Sequence, residues 1–214
     1  MLFRSYCQIL LVFLSALSFA VLMQVLPAGR MAALFVRFGN FEKVPFPKAA
    51  AHSYASSIAG YLLGWEGELS MEYDGTDYTV YFSEKELRHM EDVRVLFQWL
   101  QSLFFGSFFL SLLHWKRYAP LIRKEYASYL RSLAFCIGLL SLLCAVAVFQ
   151  FEALFIGLHR VLFANEDWLL TPGKDVIISL MPIPFFVEIA KSIALSLVLF
   201  VTVYSLAMRF VRIR

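Results

Sequence analysis

Four long stretches that carry almost no charge constrain this chain more than any other feature. They cover residues 6–26, 95–113, 133–151 and 185–208, and only the last contains any Asp, Glu, Lys or Arg. A helix needs about 20 apolar residues to cross the hydrocarbon core of a bilayer. Because 60% of the chain is hydrophobic, more than most soluble domains contain, the sequence predicts an all-α membrane protein with four transmembrane helices.

A cleaved signal peptide is an alternative for the first stretch. The apolar region of a signal peptide spans about 7–15 residues, which is shorter than residues 6–26. We therefore expect this stretch to be retained as the first transmembrane helix.

The distribution of basic residues predicts the orientation of the four spans. Segment 114–132 contains five Lys or Arg residues and one acid, and arginines also flank the first and last spans. Short flanks rich in Lys and Arg stay in the cytoplasm, whereas long loops translocate largely regardless of charge. We therefore expect both termini and segment 114–132 in the cytoplasm (N-in/C-in), with segments 27–94 and 152–184 outside.

Segment 27–94 is too long and too apolar to be a plain linker between helices 1 and 2. Residues 53–63 could form a short helix. Alternation over residues 68–73, the pair Asp74-Gly75 and a strand-like run over 78–82 together indicate a β-hairpin. We therefore expect a small extracytoplasmic α+β cap.

A capping box marks the start of the second long helix. Ser83 is followed three residues later by Glu86, a pattern that starts a helix at Glu84, and nothing breaks this helix before Leu113. The first turns then lie outside the membrane. Glu86, His89 and Asp92 are spaced three apart and share one face.

The second outer segment supplies another histidine beside acids. His159 and Arg160 are followed by Asp167, Trp168 and Asp175. A tryptophan is a common anchor at the membrane interface. We therefore expect both sets of imidazoles and carboxylates at one depth, near the outer surface. Glu188 and Lys191, three apart inside the fourth stretch, are candidates for mutual pairing or for a weak substrate contact.

The residues alone leave the role of His89 and His159 open. They could be interfacial side chains paired to Asp92 and Asp167, or they could act as catalytic acid and base. With a carboxylate they could also supply three zinc ligands, although the spacing is not that of a His-Glu-x-x-His helix. His52 and His114 have no such cluster, and Cys7, Cys136 and Cys144 are interpreted as small apolar residues.

Other function classes lack their motifs. The sequence contains no Gly-x-Ser-x-Gly elbow, P-loop or dinucleotide-binding glycine pattern, and these carry most Ser-nucleophile and nucleotide chemistry. Its basic residues flank membrane spans and form no nucleic-acid patch.

Two motifs resemble the bacterial lipoprotein intramolecular transacylases. F-S-x-x-E-L-x-H-M-x-D-V at residues 82–93 resembles that family's segment before the second span. H-R-x-x-F-x-x-x-D-W at residues 159–168, with D-V-I at 175–177 and P-x-x-F-F at 182–186, resembles its second external loop. With the four-span layout, the resemblance covers nearly the whole chain; Leu158 departs from it, where an aromatic is expected.

The resemblance implies an activity in the bacterial cytoplasmic membrane, with the active site on the extracytoplasmic side. Such enzymes move the sn-2 acyl chain of an S-diacylglyceryl cysteine to its α-amino group and give lyso-form lipoprotein. The partners would be diacylglyceryl-modified lipoproteins and membrane phospholipid, and neither a cofactor nor a metal is expected.

The site residues follow from joining this chemistry to the spacing of the motifs. His89 is the expected general base, oriented by Asp92 or Glu86, and His159 the second catalytic residue. Supporting roles are expected for Asp92, Glu86, Arg160, Asp167 and Asp175, and substrate contacts for Trp168, Glu188 and Lys191. The alternatives are a non-enzymatic membrane accessory or scaffold protein and a zinc-dependent membrane hydrolase.

Overall fold

The computed structural model describes residues 2–124, 126, 130–132, 134–135, 138 and 150–210. The predicted third span, 133–151, therefore lies largely outside the described residues, as do Cys136 and Cys144. The chain divides into two compact units. One comprises Met1–Val21, Leu100–Phe149 and Lys191–Arg214, and the other Leu22–Trp99 and Gln150–Ala190.

Helices dominate the described residues. They are α1 (Leu2–Leu22), α2 (Ala28–Phe38), α3 (Ala51–Leu63), α4 (Glu84–Lys124), α5 (Phe151–Leu162), α6 (Val176–Leu180) and α7 (Ile183–Phe210). A two-stranded sheet, β1 (Glu72–Tyr73) and β2 (Thr76–Asp77), and short 3-10 turns at Lys48–Ala50 and Thr79–Tyr81 complete the described elements.

Two of these helices contain segments that are long and apolar enough to cross a membrane. Among the described residues these segments are Glu84–Ile122 in α4 and Ile183–Ala207 in α7, and α1 contributes a shorter apolar helix, Tyr6–Leu22. The predicted spans 95–113 and 185–208 lie within α4 and α7. The first span was predicted to run to residue 26, but α1 ends at Leu22; in a continuing helix Pro27 would lack a backbone N–H and its ring would clash with the carbonyl of Met23.

The first unit contains both an apolar core and a buried polar network. Val12, Ala16 and Val201 are almost fully buried in the core. Tyr204 shares a hydrogen bond with Ser111 over 2.9 Å and accepts one from Gln8 over 3.4 Å. Such bonds satisfy polar side chains that would otherwise be costly in an apolar environment.

The second unit contains a helix that the sequence did not predict. Helix α2 buries Met31, Leu34 and Phe35 on one face, and Phe35 stacks on Phe185 with ring centroids 5.5 Å apart. The predicted helix 53–63 is confirmed as α3. It ends at Gly64, whose φ of 80° is the left-handed conformation that glycine adopts most easily.

The predicted hairpin is confirmed at its turn and is wrong beyond it. Strands β1 and β2 pair antiparallel around Asp74 and Gly75, both with positive φ, as a two-residue hairpin turn requires. Residues 78–82, predicted as a strand, instead contain a 3-10 turn. The cause is local, because the Asp77 carboxylate accepts a 2.7 Å hydrogen bond from the Thr79 N–H and starts a turn.

The predicted capping box at the start of α4 is confirmed. The Glu86 carboxylate accepts a hydrogen bond from the Ser83 N–H over 2.9 Å, and the Glu86 N–H donates to the Ser83 hydroxyl over 3.3 Å. Two backbone groups at the helix start are thereby satisfied. Helix α4 continues past the predicted Leu113 to Lys124 and contains Pro120.

One buried hydroxyl in the second unit gives a stability prediction. Tyr54 is fully buried, and its hydroxyl has no hydrogen-bond partner among the described residues. An unsatisfied buried polar group costs about 1–3 kcal/mol, and each kcal/mol shifts the midpoint of a protein of this size by about 2–4 °C. Tyr54→Phe should therefore raise the thermal unfolding midpoint in detergent by at least about 2 °C. Tyr204→Phe, which removes a satisfied hydroxyl, is the control and should lower it. A lower midpoint for Tyr54→Phe would contradict the prediction.

Candidate active site

The structure brings His89 and His159 together. His89 lies on the second turn of α4 and His159 near the end of α5, and their ring centroids are 5.9 Å apart. His89 is 8% exposed and packs edge-on against Phe163 at 5.0 Å. Two segments far apart in sequence therefore supply one pair of imidazoles in a largely apolar setting.

The geometry of His159 defines which of its nitrogens is available. Its Nδ1 lies 2.8 Å from the carbonyl oxygen of Phe155, one helical turn earlier. A carbonyl only accepts hydrogen bonds, so in the neutral ring Nδ1 carries the proton and Nε2 keeps a lone pair. The ring lies between Phe155 at 4.2 Å and Trp168 at 5.3 Å.

Burial keeps both imidazoles neutral near pH 7. The pKa of His89 is lowered to about 4, mainly by burial and secondly by the neighbouring His159, while Asp92 and Asp167 oppose the shift. Burial also lowers the pKa of His159, and the hydrogen bond to the Phe155 carbonyl opposes it. The pair can thus accept protons, and neither ring begins as an imidazolium.

The expected orientation of His89 by a carboxylate is not found. Glu86 uses its two oxygens on Ser83 and on the Ile177 N–H, the latter over 2.7 Å. Asp92 instead accepts a 2.8 Å hydrogen bond from the Asn165 side chain. The Nδ1 of His89 is buried and has no hydrogen-bond partner among the described residues. The helical spacing therefore predicted that these side chains lie near one another, but it did not predict their hydrogen-bond partners.

Asp175 belongs to the buried cluster around Glu86. It is 6% exposed, accepts a 2.6 Å hydrogen bond from the Thr171 N–H and a 3.4 Å hydrogen bond from the Ser83 hydroxyl. Glu86 and Asp175 therefore join the start of α4 to the start of α6. The two carboxylates therefore stabilise the elements that carry the site, because the hydrogen bonds described here go to those elements and not to a histidine ring.

Asp167 and Trp168 lie at the site, and Arg160 does not hold Asp167. The Asp167 carboxylate accepts two hydrogen bonds from one edge of the Arg88 guanidinium, from Nε over 2.9 Å and from Nη2 over 3.2 Å, and this pairing lowers its pKa. Arg160 is exposed on α5. Glu188 is half-buried and Lys191 exposed, both on α7.

Arg88 and Asn165 are the site residues that sequence reasoning missed. Arg88 precedes His89 and looked like an ordinary exposed helix charge, and its partner Asp167 lies 79 residues away. No local spacing could reveal that pairing. Within the described part of the chain, no three His, Cys, Asp or Glu side chains are arranged to hold a metal ion.

Comparisons with known proteins agree on one family. A family model described as lipoprotein intramolecular transacylase Lit matches residues 6–186. The solved membrane integral lipoprotein intramolecular transacylase Lit from Bacillus cereus is similar, with a TM-score of 0.74 and 20% identity over 96% of this chain and 93% of that chain. A second structure from that organism, with a histidine-to-arginine mutation, gives a TM-score of 0.61 and 18% identity over 97% and 93%. No curated protein sequence matches this chain.

The lowered pKa of His89 gives a prediction about acid stability. In the unfolded chain this group titrates near 6.5 and in the folded protein near 4. As pH falls through this window the unfolded state binds the proton first, so the free energy of unfolding falls by up to about 1.4 kcal/mol per pH unit. Above this window His89 adds no pH dependence.

Thermal midpoints in detergent from about pH 4.5 to about 7.5 would measure this effect. His89→Phe should flatten the decline on the acid side, and His52→Gln, at an exposed histidine of α3, should leave it unchanged. Parallel curves for the parent protein and His89→Phe would contradict the buried, neutral state of His89.

Proposed function

This chain belongs to the lipoprotein intramolecular transacylase Lit family, whose model matches most of its length, and it is therefore a membrane acyltransferase. On that premise we propose that it moves the sn-2 acyl chain of an S-diacylglyceryl cysteine to the α-amino group of the same cysteine. The product is a lyso-form lipoprotein. The observation that carries this proposal is the pair of neutral imidazoles 5.9 Å apart, one of which keeps a lone pair on Nε2.

The reaction needs proton transfer more than an energy source. Converting an ester into an amide is downhill, so no activated donor is required. Donor and acceptor belong to one molecule, and aligning them can supply several kcal/mol of the barrier reduction, up to about 7–11 kcal/mol for well-oriented groups. The remaining tasks are to take a proton from the amine and to stabilise the tetrahedral oxyanion.

His159 is the better general base of the two histidines. Its Nδ1–H donates to the Phe155 carbonyl, so Nε2 presents a lone pair in a fixed ring orientation. As the amine nitrogen attacks the ester carbonyl carbon, Nε2 takes one proton from that nitrogen. The imidazolium then gives the proton to the glycerol oxygen when the carbon–oxygen bond breaks. The amide and the free glycerol hydroxyl balance the reaction. This reverses the order of roles expected from the sequence.

His89 is the second catalytic residue. Its buried Nδ1 has no partner among the described residues, so this nitrogen can bond a substrate oxygen once the bound substrate displaces the side chains that cover it. As the Nδ1–H tautomer it can donate a hydrogen bond to the oxyanion or to the leaving glycerol oxygen. A neutral donor fixed beforehand in an apolar setting stabilises developing negative charge without reorganisation.

The surface of α5 suits a lipid substrate. Leu154, Leu158 and Val161 lie along one side of the helix at helical spacing and are 54%, 51% and 84% exposed. Phe155 and His159 lie on the side that contacts the site. Membrane phospholipid and the acyl chains of a lipoprotein are the partners that such an apolar surface would contact.

We propose four spans with both termini in the bacterial cytoplasm. The spans are about 6–26, 95–113, 133–151 and 185–208, and the cap 27–94 and loop 152–184 carry the site on the extracytoplasmic side. Support comes from the basic residues that flank the apolar stretches. The substrate's head group lies at the same membrane surface in this arrangement.

Cysteine labelling tests this topology. In a background with Cys7, Cys136 and Cys144 replaced by alanine, His52→Cys in the cap should react with a membrane-impermeant maleimide in intact cells. Lys116→Cys in segment 114–132 should react only after permeabilisation, and both positions are exposed. Labelling of both positions in intact cells would contradict the orientation.

Mass spectrometry of a reporter lipoprotein tests the activity and its two histidines. In a host that makes only free-amine diacylglyceryl lipoproteins, this chain should give a mass-neutral isomer with an acyl group on the cysteine nitrogen. His159→Ala and His89→Ala should each lower the initial rate about 10²–10⁴-fold, as loss of an acid–base group does.

The control is His52→Ala, which removes an exposed imidazole of α3 and should leave the rate unchanged. An unchanged lipopeptide, with the parent protein present in the membrane, would overturn the proposed transfer to the cysteine nitrogen. Near-normal turnover by His159→Ala alone would remove that residue as the base.

A further inference from the structure

A short segment between α5 and α6 is fastened along α4 by polar contacts. We call residues 165–169 the strap. The Lys85 ammonium donates to the Leu169 carbonyl over 2.7 Å, Arg88 holds Asp167, and Asn165 donates to Asp92. The strap is therefore tied at both ends and in the middle.

The order of these contacts defines the path of the strap. Lys85, Arg88 and Asp92 are three and four residues apart, so they lie on one stripe of α4. Their partners run in the opposite order along the chain, from Leu169 back to Asn165. The strap thus runs antiparallel to the helix, beside the turn that carries His89.

The strap is braced internally and presents one aromatic ring to the site. The Asn165 side chain accepts a 3.0 Å hydrogen bond from the Asp167 N–H, and the Trp168 indole N–H donates to the Asn165 carbonyl over 3.0 Å. The Trp168 ring lies 5.3 Å from the His159 ring. A change in the position of Asp167 would therefore also move the Trp168 ring, which contacts His159.

Among the three ties, the pair between Arg88 and Asp167 has the most specific geometry. A guanidinium binds a carboxylate through two parallel N–H groups and fixes its direction, which a lysine cannot do. The Asp167 side chain is 21% exposed, whereas Arg88 is 55% exposed. Lys85 and Asp92 each make one hydrogen bond to the strap.

We propose that Arg88 is a positioning residue for the acyl transfer, acting through Asp167 to hold Trp168 against the ring of His159. Its effect on turnover rests on the proposed function, whereas its effect on Trp168 does not. The hydrogen bond to Phe155 sets the tautomer of His159, and the packing of Trp168 restricts how far the ring can move. Arg88 lies outside the reacting pair and touches neither ring.

The chain offers a matched control in Glu84, the other partner of Arg88. Glu84 is 95% exposed and lies 3.7 Å from the guanidinium, one turn earlier on the same helix. Glu84→Gln removes this contact and leaves the strap tied. Arg88→Gln removes both contacts. Comparing the two variants distinguishes the effect of releasing the strap from the effect of changing the charge on α4.

Fluorine NMR would measure the position of the ring directly. The chain has four tryptophans, so labelling with 5-fluorotryptophan gives four resonances, and Trp168→Phe identifies one of them. Arg88→Gln should shift or broaden the Trp168 resonance and leave the other three unchanged, which also shows that the protein is folded. Glu84→Gln should leave all four unchanged. An unmoved Trp168 resonance in Arg88→Gln would overturn the proposal.

Turnover of a diacylglyceryl lipopeptide supplies the second readout. An exposed ion pair makes only a modest contribution, so Arg88→Gln should lower kcat about fivefold and leave KM within about twofold. The double variant Arg88→Asp with Asp167→Arg restores an ion pair of opposite polarity and should recover most of the loss, with Arg88→Lys intermediate. No recovery in a folded double variant, or an equal loss in Glu84→Gln, would overturn the proposal.

The two readouts separate this inference from the proposed activity. If the parent protein does not convert the lipopeptide, the proposed function fails, and the Trp168 resonance still decides whether Arg88 holds the ring. If the parent protein converts it and the resonance is unmoved, only the positioning role fails.

Discussion

The second unit depends on how one buried carboxylate is satisfied. Glu86 is 1% exposed, and its two oxygens accept hydrogen bonds from the Ser83 N–H, the Ser83 hydroxyl and the Ile177 N–H. A buried charge is very costly unless such donors surround it. The same residue therefore starts α4, fixes the start of α6 and places His89 one turn later. A shift at Glu86 would therefore also move His89, the imidazole that we propose takes part in acyl transfer.

Much of the fold could be predicted because its signals are local. The capping box at Ser83, the Asp74-Gly75 turn and the long apolar stretches each depend on neighbours within a few residues, and the structure contains the helix start, the turn and the helices of the second and fourth stretches. Helix α2 was missed because its apolar face is short and lies beside prolines. Residues 78–82 have strand-like composition, but the Asp77 side chain starts a turn that propensity does not register.

The sequence predicted that the two histidines lie close together, but it did not predict how the polar side chains around them pair. Helical spacing correctly put Glu86, His89 and Asp92 on one face, and both histidines meet, as two motifs at one depth suggested. Which polar group pairs with which depends on contacts between residues that are far apart in the sequence or on the backbone. Asp92 binds Asn165, Asp167 binds Arg88, and His159 is held by a backbone carbonyl that has no sequence signature. Burial lowers the pKa of both rings, and among the described residues no carboxylate bonds to His89 in the way that the sequence predicted.

Helix α5 carries His159 on one side and exposed Leu154, Leu158 and Val161 on the other. For the proposed reaction, this means that the ester need not leave the bilayer to reach the base. A lipoprotein anchored in the same leaflet arrives by lateral diffusion in two dimensions, so the relevant substrate concentration is a surface density. Bilayer viscosity and crowding by other lipids would then affect the rate at which enzyme and lipoprotein meet. An assay in dilute micelles would therefore measure a different encounter rate from the one in the cell envelope.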